Sequence, residues 1–337
     1  MTTVTLPSPA AAPTHAPEPV LTRRRYEELD ALRGIAAVAV MLFHFDLYVQ
    51  HHWSEAVWGP LSLGRYGVQL FFIISGFVIL LTAQRAASVG AFAWSRFTRL
   101  YPAYWTACAL IYTLRVLHDP EHAPDPIKAL LNLPMIEIAG VPRLENVFWT
   151  LQQEVWFYLL IGALIAVRRV HLATWALAAP VAMSLASLRF TRWFGLFLVG
   201  VVLFETLKGW KPRHYLLLAL VGVDVLSRSL LLRTRDVAGW EYPAGVVVCA
   251  LLVLAATRRR IAWLTNPVLV FLGGISYSLY LVHATLGSIL IERLHGAGWG
   301  VGSSLAAAVA ASVAVATALT FAVEKPVMRR LRRVTLA

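Results

Sequence analysis

The stretch Leu29-Asp30-Ala31-Leu32-Arg33-Gly34, which continues through an apolar run to His44-Phe45-Asp46, decides the fold class. It is long and apolar enough to cross a bilayer as a helix. Arg33 and His44 are eleven positions apart, and eleven steps of about 100° complete roughly three turns, so both lie on one helix face. Along that face they are about 16 Å apart. Ionisable side chains are costly inside a membrane, so we expect both to be functional.

The composition of the whole chain indicates a membrane protein. Of its 337 residues, 58% are hydrophobic and only 14% are charged, and the apolar residues form long blocks. We therefore predict an all-α, polytopic membrane protein with about ten transmembrane helices. The expected spans are residues 31–50, 67–82, 100–117, 147–167, 170–188, 193–207, 214–231, 243–257, 268–292 and 301–323. Residues 1–25 are expected to be a disordered cytoplasmic tail, 26–328 the transmembrane domain, and 329–337 a basic cytoplasmic tail.

The distribution of basic residues predicts the orientation. Arginine and lysine concentrate in alternate loops, and by the positive-inside rule those loops face the cytoplasm. Both termini are then cytoplasmic. This rule also explains the net charge of +12. We therefore expect membrane lipids, and not nucleic acid, as partners. The two cysteines, Cys108 and Cys249, lie inside apolar blocks, and neither a disulfide framework nor a metal site is expected.

Three ionisable side chains are expected at a similar depth in the outer third of the membrane. His44 lies roughly 21 Å from the inner face, Glu154 roughly 10 Å from the outer face, and His283 roughly 22 Å from the inner face. A buried histidine beside a carboxylate suits general base catalysis on a hydroxyl group. A structural hydrogen-bonded pair and a proton relay remain open alternatives.

Other polar residues in or beside the spans have two interpretations each. Ser75, with Gly76, fits either close helix packing or a substrate contact. Tyr280 and His283 share a face of the ninth span with Ser276, beside Tyr277, which fits either aromatic packing or a site. The long outer loop 118–146 either covers a site or is a solvated connector. Arg96 and Arg99 suit phosphate binding, although topology signalling and lipid contact explain them equally well.

Six motifs in order resemble those of the acyltransferase-3 family of integral membrane acyltransferases. The first is the opening stretch with His44; the others are Gly67 to Phe77, Phe97-Thr98-Arg99-Leu100-Tyr101-Pro102, Trp149 to Tyr158, Leu272 to His283, and Glu324-Lys325-Pro326. Each motif is weak alone, and six in sequence are specific. The resemblance covers residues 29–326.

The resemblance implies transfer of an acyl group, usually acetyl, from cytoplasmic acyl-CoA to a hydroxyl of an extracytoplasmic glycan, in a bacterial cytoplasmic membrane. It assigns His44 as the essential histidine, with Arg33 and Glu154 as further catalytic residues. Donor-binding residues are then expected to include Arg96, Arg99, Ser75 and Tyr277. Acceptor-binding residues are expected to include His283, Tyr280 and Asp46, the last from the end of the opening stretch.

Two alternative functions remain open from the sequence. The acceptor could be a small secreted glycoside, such as a macrolide sugar, rather than a surface polysaccharide. A proton-coupled transporter could use the same histidine and glutamate as a relay, although no internal repeat of the kind common in transporters is visible. The sequence does not indicate acyl chain length or oligomeric state.

Overall fold

The computed structural model describes residues 26–53, 59–187, 193–231 and 239–334, and all regular elements within those ranges are helical. The all-α class is therefore confirmed. The α-helices are α1 (Glu27–Trp53), α2 (Gly67–Ala83), α3 (Val89–His118), α4 (Pro126–Leu130), α5 (Trp149–Ala166), α6 (Ala173–Ser187), α7 (Phe194–Glu205), α8 (Pro212–Leu231), α9 (Glu241–Thr257), α10 (Pro267–Gly296), α11 (Val301–Ala318) and α12 (Lys325–Val334). The predicted tail at residues 1–25 lies outside the described residues.

Four helical stretches in the described ranges are long and apolar enough to cross a membrane on their own. They are Glu27–Trp53, Leu61–Ala83, Pro267–Gly296 and Val301–Leu331. Each of the ten spans expected from hydropathy overlaps one α-helix. The chain is thus a helical membrane protein in its architecture, and the count of ten crossings stays a prediction.

Helix α3 begins eleven residues before the span predicted at 100–117. Ser88 caps it, because its hydroxyl oxygen accepts a hydrogen bond from the Ala91 amide at 3.1 Å. Arg96 and Arg99 lower the hydropathy of this first part, but arginine is a good helix former and the helix continues through them. Both arginines therefore lie on the same rigid element as the apolar span.

Helix α11 passes into α12 through a π-helical segment, Leu319–Glu324. The wider π-helical turn is rare and occurs mostly as an insertion at functional positions. It places Glu324, which is fully buried, on the inner side of the helix. The basic segment predicted from residue 329 continues α12 as far as Val334.

Buried side chains form two packed groups on either side of α1 and α2. One group joins α2 to α5, α6, α7 and α9, and the other joins α1 to α3, α10 and α11. Helices α2 and α7 approach closely at Gly76, where an added Cβ atom would lie 2.2 Å from the Phe197 carbonyl oxygen. The packing interpretation of Gly76 is therefore correct, since only glycine fits there.

Candidate active site

Helices α1 and α10 cross in close contact, and glycines at two levels allow it. A Cβ atom on Gly273 would lie 2.0 Å from the Asp30 carbonyl oxygen, and one on Gly34 would lie 2.6 Å from the Gly273 amide nitrogen. Further along the crossing, towards the C-terminal ends of α1 and α10, a Cβ atom on Gly287 would overlap the Phe45 ring. The two backbones are thus held together along the region that carries both His44 and His283.

His44 and His283 are hydrogen-bonded across this crossing. His44 Nδ1 lies 3.0 Å from His283 Nε2, and the two rings are 5.1 Å apart. His283 is completely buried, whereas His44 is half-buried and lines two cavities. The structure brings together two residues that the sequence placed only at a similar depth.

The hydrogen bonds of His283 fix the tautomer of both rings. His283 Nδ1 lies 2.9 Å from the Tyr280 carbonyl oxygen and 3.1 Å from that of Leu279. Carbonyl oxygens only accept, so Nδ1 carries the proton, and a neutral His283 must accept at Nε2. His44 therefore donates from its own Nδ1. This leaves His44 Nε2 as an unprotonated nitrogen, the form that a general base requires.

Glu154 lies away from the two histidines, in a cavity of about 50 Å³ that Arg33, Ser75 and Tyr277 also line. Its carboxylate accepts hydrogen bonds from the Tyr158 hydroxyl and, at 3.2 Å, from Ser75. Among the described residues the structure shows no hydrogen bond between His44 and Glu154, and the side chain that pairs with His44 is His283. The catalytic role expected for Glu154 stays a prediction. Depth estimates along separate helices cannot show which side chains face each other.

Three cavities follow one another from Arg33 to the far end of α1. The cavity with Arg33 and Glu154 shares Val68 and Tyr280 with a second cavity of about 170 Å³. That second cavity shares His44 with a third of about 690 Å³, which reaches the end of α1 at His52. His44 thus stands between the second and third cavities, and Tyr280 between the first and second.

Glu324 lies in the last of the six motifs, and no role was expected for it from the sequence. It forms an ion pair with Arg99, and it accepts a hydrogen bond from Ser278 at 3.1 Å. The Ser278 hydroxyl in turn accepts one from Thr320 at 2.8 Å. Three of the six motifs therefore converge here, and their joint presence in the sequence was the available signal.

The arginines expected to bind the donor form one electropositive group. Arg33 and Arg96 both act electrostatically on Arg99, so the three guanidinium groups are close together. Arg99 is neutralised by Glu324. Arg96 donates to its neighbour Ser95, and its buried Nε has no hydrogen-bond partner among the described residues. Glu154 lies near the same group, so three guanidinium groups face two carboxylates and a net positive charge remains on the Arg33 side of the cavities.

Three other predicted site residues have structural contacts. The Tyr277 hydroxyl donates to the Leu100 carbonyl at 3.0 Å, and the Tyr280 hydroxyl donates to the Val147 carbonyl at 2.9 Å, although both rings still line cavities. Asp46 is buried, accepts a hydrogen bond from Gln50 at 2.6 Å, and lines none of the three cavities. Within the described ranges no group of three or more His, Cys, Asp or Glu side chains could hold a metal ion.

Comparison with known proteins identifies the family to which the chain is similar. A family model described as an acyltransferase domain matches residues 26–323. Acyltransferase MdmB of Streptomyces mycarofaciens is 27% identical over 77% of this chain and 78% of its own. A candidate acetyltransferase, ORF330 of Acidianus two-tailed virus, is 25% identical over 79% of this chain and 83% of its own.

A third relative matches over a smaller region. Peptidoglycan O-acetyltransferase OatA of Listeria monocytogenes is 26% identical over 43% of this chain and 25% of its own length. No solved structure matches the chain.

Proposed function

The chain belongs to the acyltransferase-3 family. On that premise we propose that it transfers an acyl group from cytoplasmic acyl-CoA to a carbohydrate hydroxyl outside the membrane, and that this acyl group is acetyl. Family membership makes the chain an acyltransferase, whereas the identities of its acyl donor and acceptor are part of the proposal. We place it in a bacterial cytoplasmic membrane, with ten crossings and both termini inside. The arginine-rich loops support that orientation.

The donor is proposed to bind on the side of Arg33 and Arg96. Guanidinium groups bind phosphate through paired hydrogen bonds, and CoA carries several phosphate oxygens. The distance of about 16 Å from Arg33 to His44 along α1 is comparable with an extended pantetheine arm. The first two cavities would hold that arm and bring the thioester to His44, past Tyr280.

His44 is proposed as the base for the transfer step. Its Nε2 takes the proton from the acceptor hydroxyl as the oxygen attacks the thioester carbonyl carbon. The carbon–sulfur bond breaks, the CoA sulfur leaves with the electron pair, and the imidazolium returns the proton to it. His283 stabilises the reactive tautomer, the role that a carboxylate has in other histidine bases. A transient acyl group on His44 itself is the alternative route to the same products.

One observation carries the proposal: His44 lies between the cavities that lead to the arginines and the large outer cavity, with its unprotonated nitrogen free to react. The transporter alternative has no such support, since the chain belongs to an acyltransferase family.

The test is acetyl-CoA turnover by the full-length protein in detergent. Released CoA thiol and acetylated sugar are measured for wild type, for His44→Ala, and for His122→Ala as a control in the exposed outer loop. Loss of a general base should slow turnover by about 10² to 10⁴-fold. We expect that loss in His44→Ala only. A folded His44→Ala protein that turns over acetyl-CoA normally would overturn the mechanism. A wild type that neither binds nor cleaves acetyl-CoA would overturn the donor.

A further inference from the structure

The wall of the outer cavity carries a polar cluster that the proposed chemistry has not used. Arg115 comes from the end of α3, Glu145 from the last part of the loop after α3, and Thr285 from α10. All three line the same cavity of about 690 Å³ as His44. The long loop 118–146 therefore contributes to a site, and the sequence had left that open.

The three side chains are bonded to one another. The Thr285 hydroxyl donates to Glu145, and it accepts from Arg115 Nη2 at 3.4 Å. Arg115 Nη2 also lies 3.8 Å from the Glu145 carboxylate. Glu145 accepts one further hydrogen bond, from the Asn146 amide at 3.0 Å. The side chain of Glu145 is only 6% exposed, whereas that of Arg115 is 37% exposed.

This cluster has more hydrogen-bonding capacity than its own contacts use. An ionised carboxylate accepts at about four positions and a guanidinium has about five N–H donors. Within the described residues, Glu145 accepts two hydrogen bonds and Arg115 donates one. An ion pair with an exposed arginine contributes only about 0–1 kcal/mol, so stability alone does not account for this pair on a cavity wall.

The position of the cluster relates it to the base. Thr285 and Glu145 line the outer cavity together with His44, and Glu145 is two residues before Val147, which lines both the middle and the outer cavity. Tyr48 and Trp149 line the outer cavity as well, and aromatic rings offer apolar faces to a sugar. A molecule held at the cluster would lie beside His44.

We propose that Glu145 and Arg115 form the acceptor-binding subsite, in which they hold two neighbouring oxygens of a carbohydrate and direct a further hydroxyl to His44. Glu145 accepts from one hydroxyl, and Arg115 donates to the oxygen beside it. The opposite charges of the pair offset each other, so the subsite takes an uncharged sugar with adjacent free hydroxyls. This inference rests on the proposed function and names the residues that select its acceptor.

The experiment separates donor chemistry from acceptor selection. Full-length protein in detergent is assayed for acetyl-CoA hydrolysis alone, and then with methyl hexopyranosides and their monodeoxy derivatives as probes. The variants are Glu145→Gln and Arg115→Gln. The control is Glu137→Gln, an exposed carboxylate of the same loop that pairs with Arg143 and does not line the outer cavity.

We expect the KM of Glu145→Gln for the glycoside to rise at least about tenfold relative to wild type, because a charged hydrogen-bond acceptor is replaced by a neutral one. Wild type should prefer an intact glycoside over one of its deoxy forms by at least about tenfold, and both variants should lose that preference. Glu137→Gln should retain it. A merely structural residue would not change discrimination between intact and deoxy sugars.

Three results would overturn the inference. The first is a folded Glu145→Gln protein that still prefers the intact glycoside over its deoxy form as wild type does. If Glu145→Gln does not fold, the same result in Thr285→Val has that meaning. The second is a wild type that cleaves acetyl-CoA but that no glycoside accelerates, which removes the sugar assignment and leaves the donor chemistry intact. The third is a wild type without any activity on acetyl-CoA, which removes the proposed function as well.

Discussion

Gly34 and Gly273 meet backbone to backbone where α1 crosses α10, and a Cβ atom on Gly34 would lie only 2.6 Å from the Gly273 amide nitrogen. This contact sets the separation of the two helices that carry the paired histidines. Close approach of helices through small residues is a common packing mode in membranes. The geometry of the histidine pair is therefore a consequence of glycines located roughly three turns away along each helix.

Replacing Gly273 by alanine should separate the two helices and reduce activity. The added methyl group would lie 2.0 Å from the Asp30 carbonyl oxygen, and backbone atoms cannot move aside as a flexible side chain does. The matched control is Gly274→Ala, the next residue, whose added Cβ meets nothing within 4 Å. We expect lower thermal stability and acyl transfer for the first variant. The second should be neutral or more stable by about 0.5–1 kcal/mol, because alanine favours a helix. Equal stability of both variants would contradict this.

Removing the hydrogen-bond acceptor of His44 should slow the reaction without weakening donor binding. In His283→Phe, the Nδ1 proton of His44 loses its side-chain acceptor and only the backbone contact with Val40 remains, so the reactive tautomer is held less firmly. We expect kcat to fall by about 10² or more, with KM for acetyl-CoA within about threefold of wild type. His283→Gln, whose amide oxygen can accept a hydrogen bond, should keep part of the activity. Full activity in His283→Phe would show that His44 needs no partner.

Neutralising Glu324 should destabilise the protein strongly. Its side chain is 1% exposed and is paired with Arg99, and breaking a buried ion pair from one side costs about 3–5 kcal/mol. The comparison is Glu241→Gln, which removes a carboxylate that is 56% exposed and paired with Arg65; exposed pairs contribute only about 0–1 kcal/mol. Thermal unfolding in the same detergent should separate Glu324→Gln from both wild type and Glu241→Gln. Similar melting temperatures for the two variants would disprove the structural role of Glu324.

Substituting Arg33 by glutamine should weaken donor binding. Arg33 lines the cavity with Glu154 and lies close to Arg99, and a charged hydrogen bond to phosphate contributes about 1.5–3 kcal/mol. We expect KM for acetyl-CoA to rise by about tenfold or more, with the melting temperature nearly unchanged. Arg169→Gln, at an exposed position after α5, removes the same charge elsewhere and should leave KM as in wild type. An unchanged KM in Arg33→Gln would mean that this arginine does not bind the donor.

Local helix geometry made part of this structure predictable. The period of a helix puts Arg33 and His44 on one face, and hydropathy finds the helices, because both depend only on nearby residues. The partner of His44 depends on a contact between positions 239 residues apart, which no local rule supplies. The same limit applies to Arg99 and Glu324: each lies in one of the motifs, and the joint presence of the motifs does not show which of their residues pair. The position of Glu154 relative to His44 could not be predicted, because distance along one helix does not give the tilt or rotation of its neighbours.

The histidine pair also has a consequence for how the protein is made. The two histidines lie on α1 and α10, and the second is residue 283 of 337, so a ribosome must complete about five sixths of the chain before the second imidazole exists. Until α10 is inserted and docked against the first helix, a nascent chain has neither a fixed proton on His44 nor a closed outer wall from Thr285. If His44 is the base, as proposed, acyl transfer can therefore begin only after most of the chain has been synthesised and α10 has docked against α1.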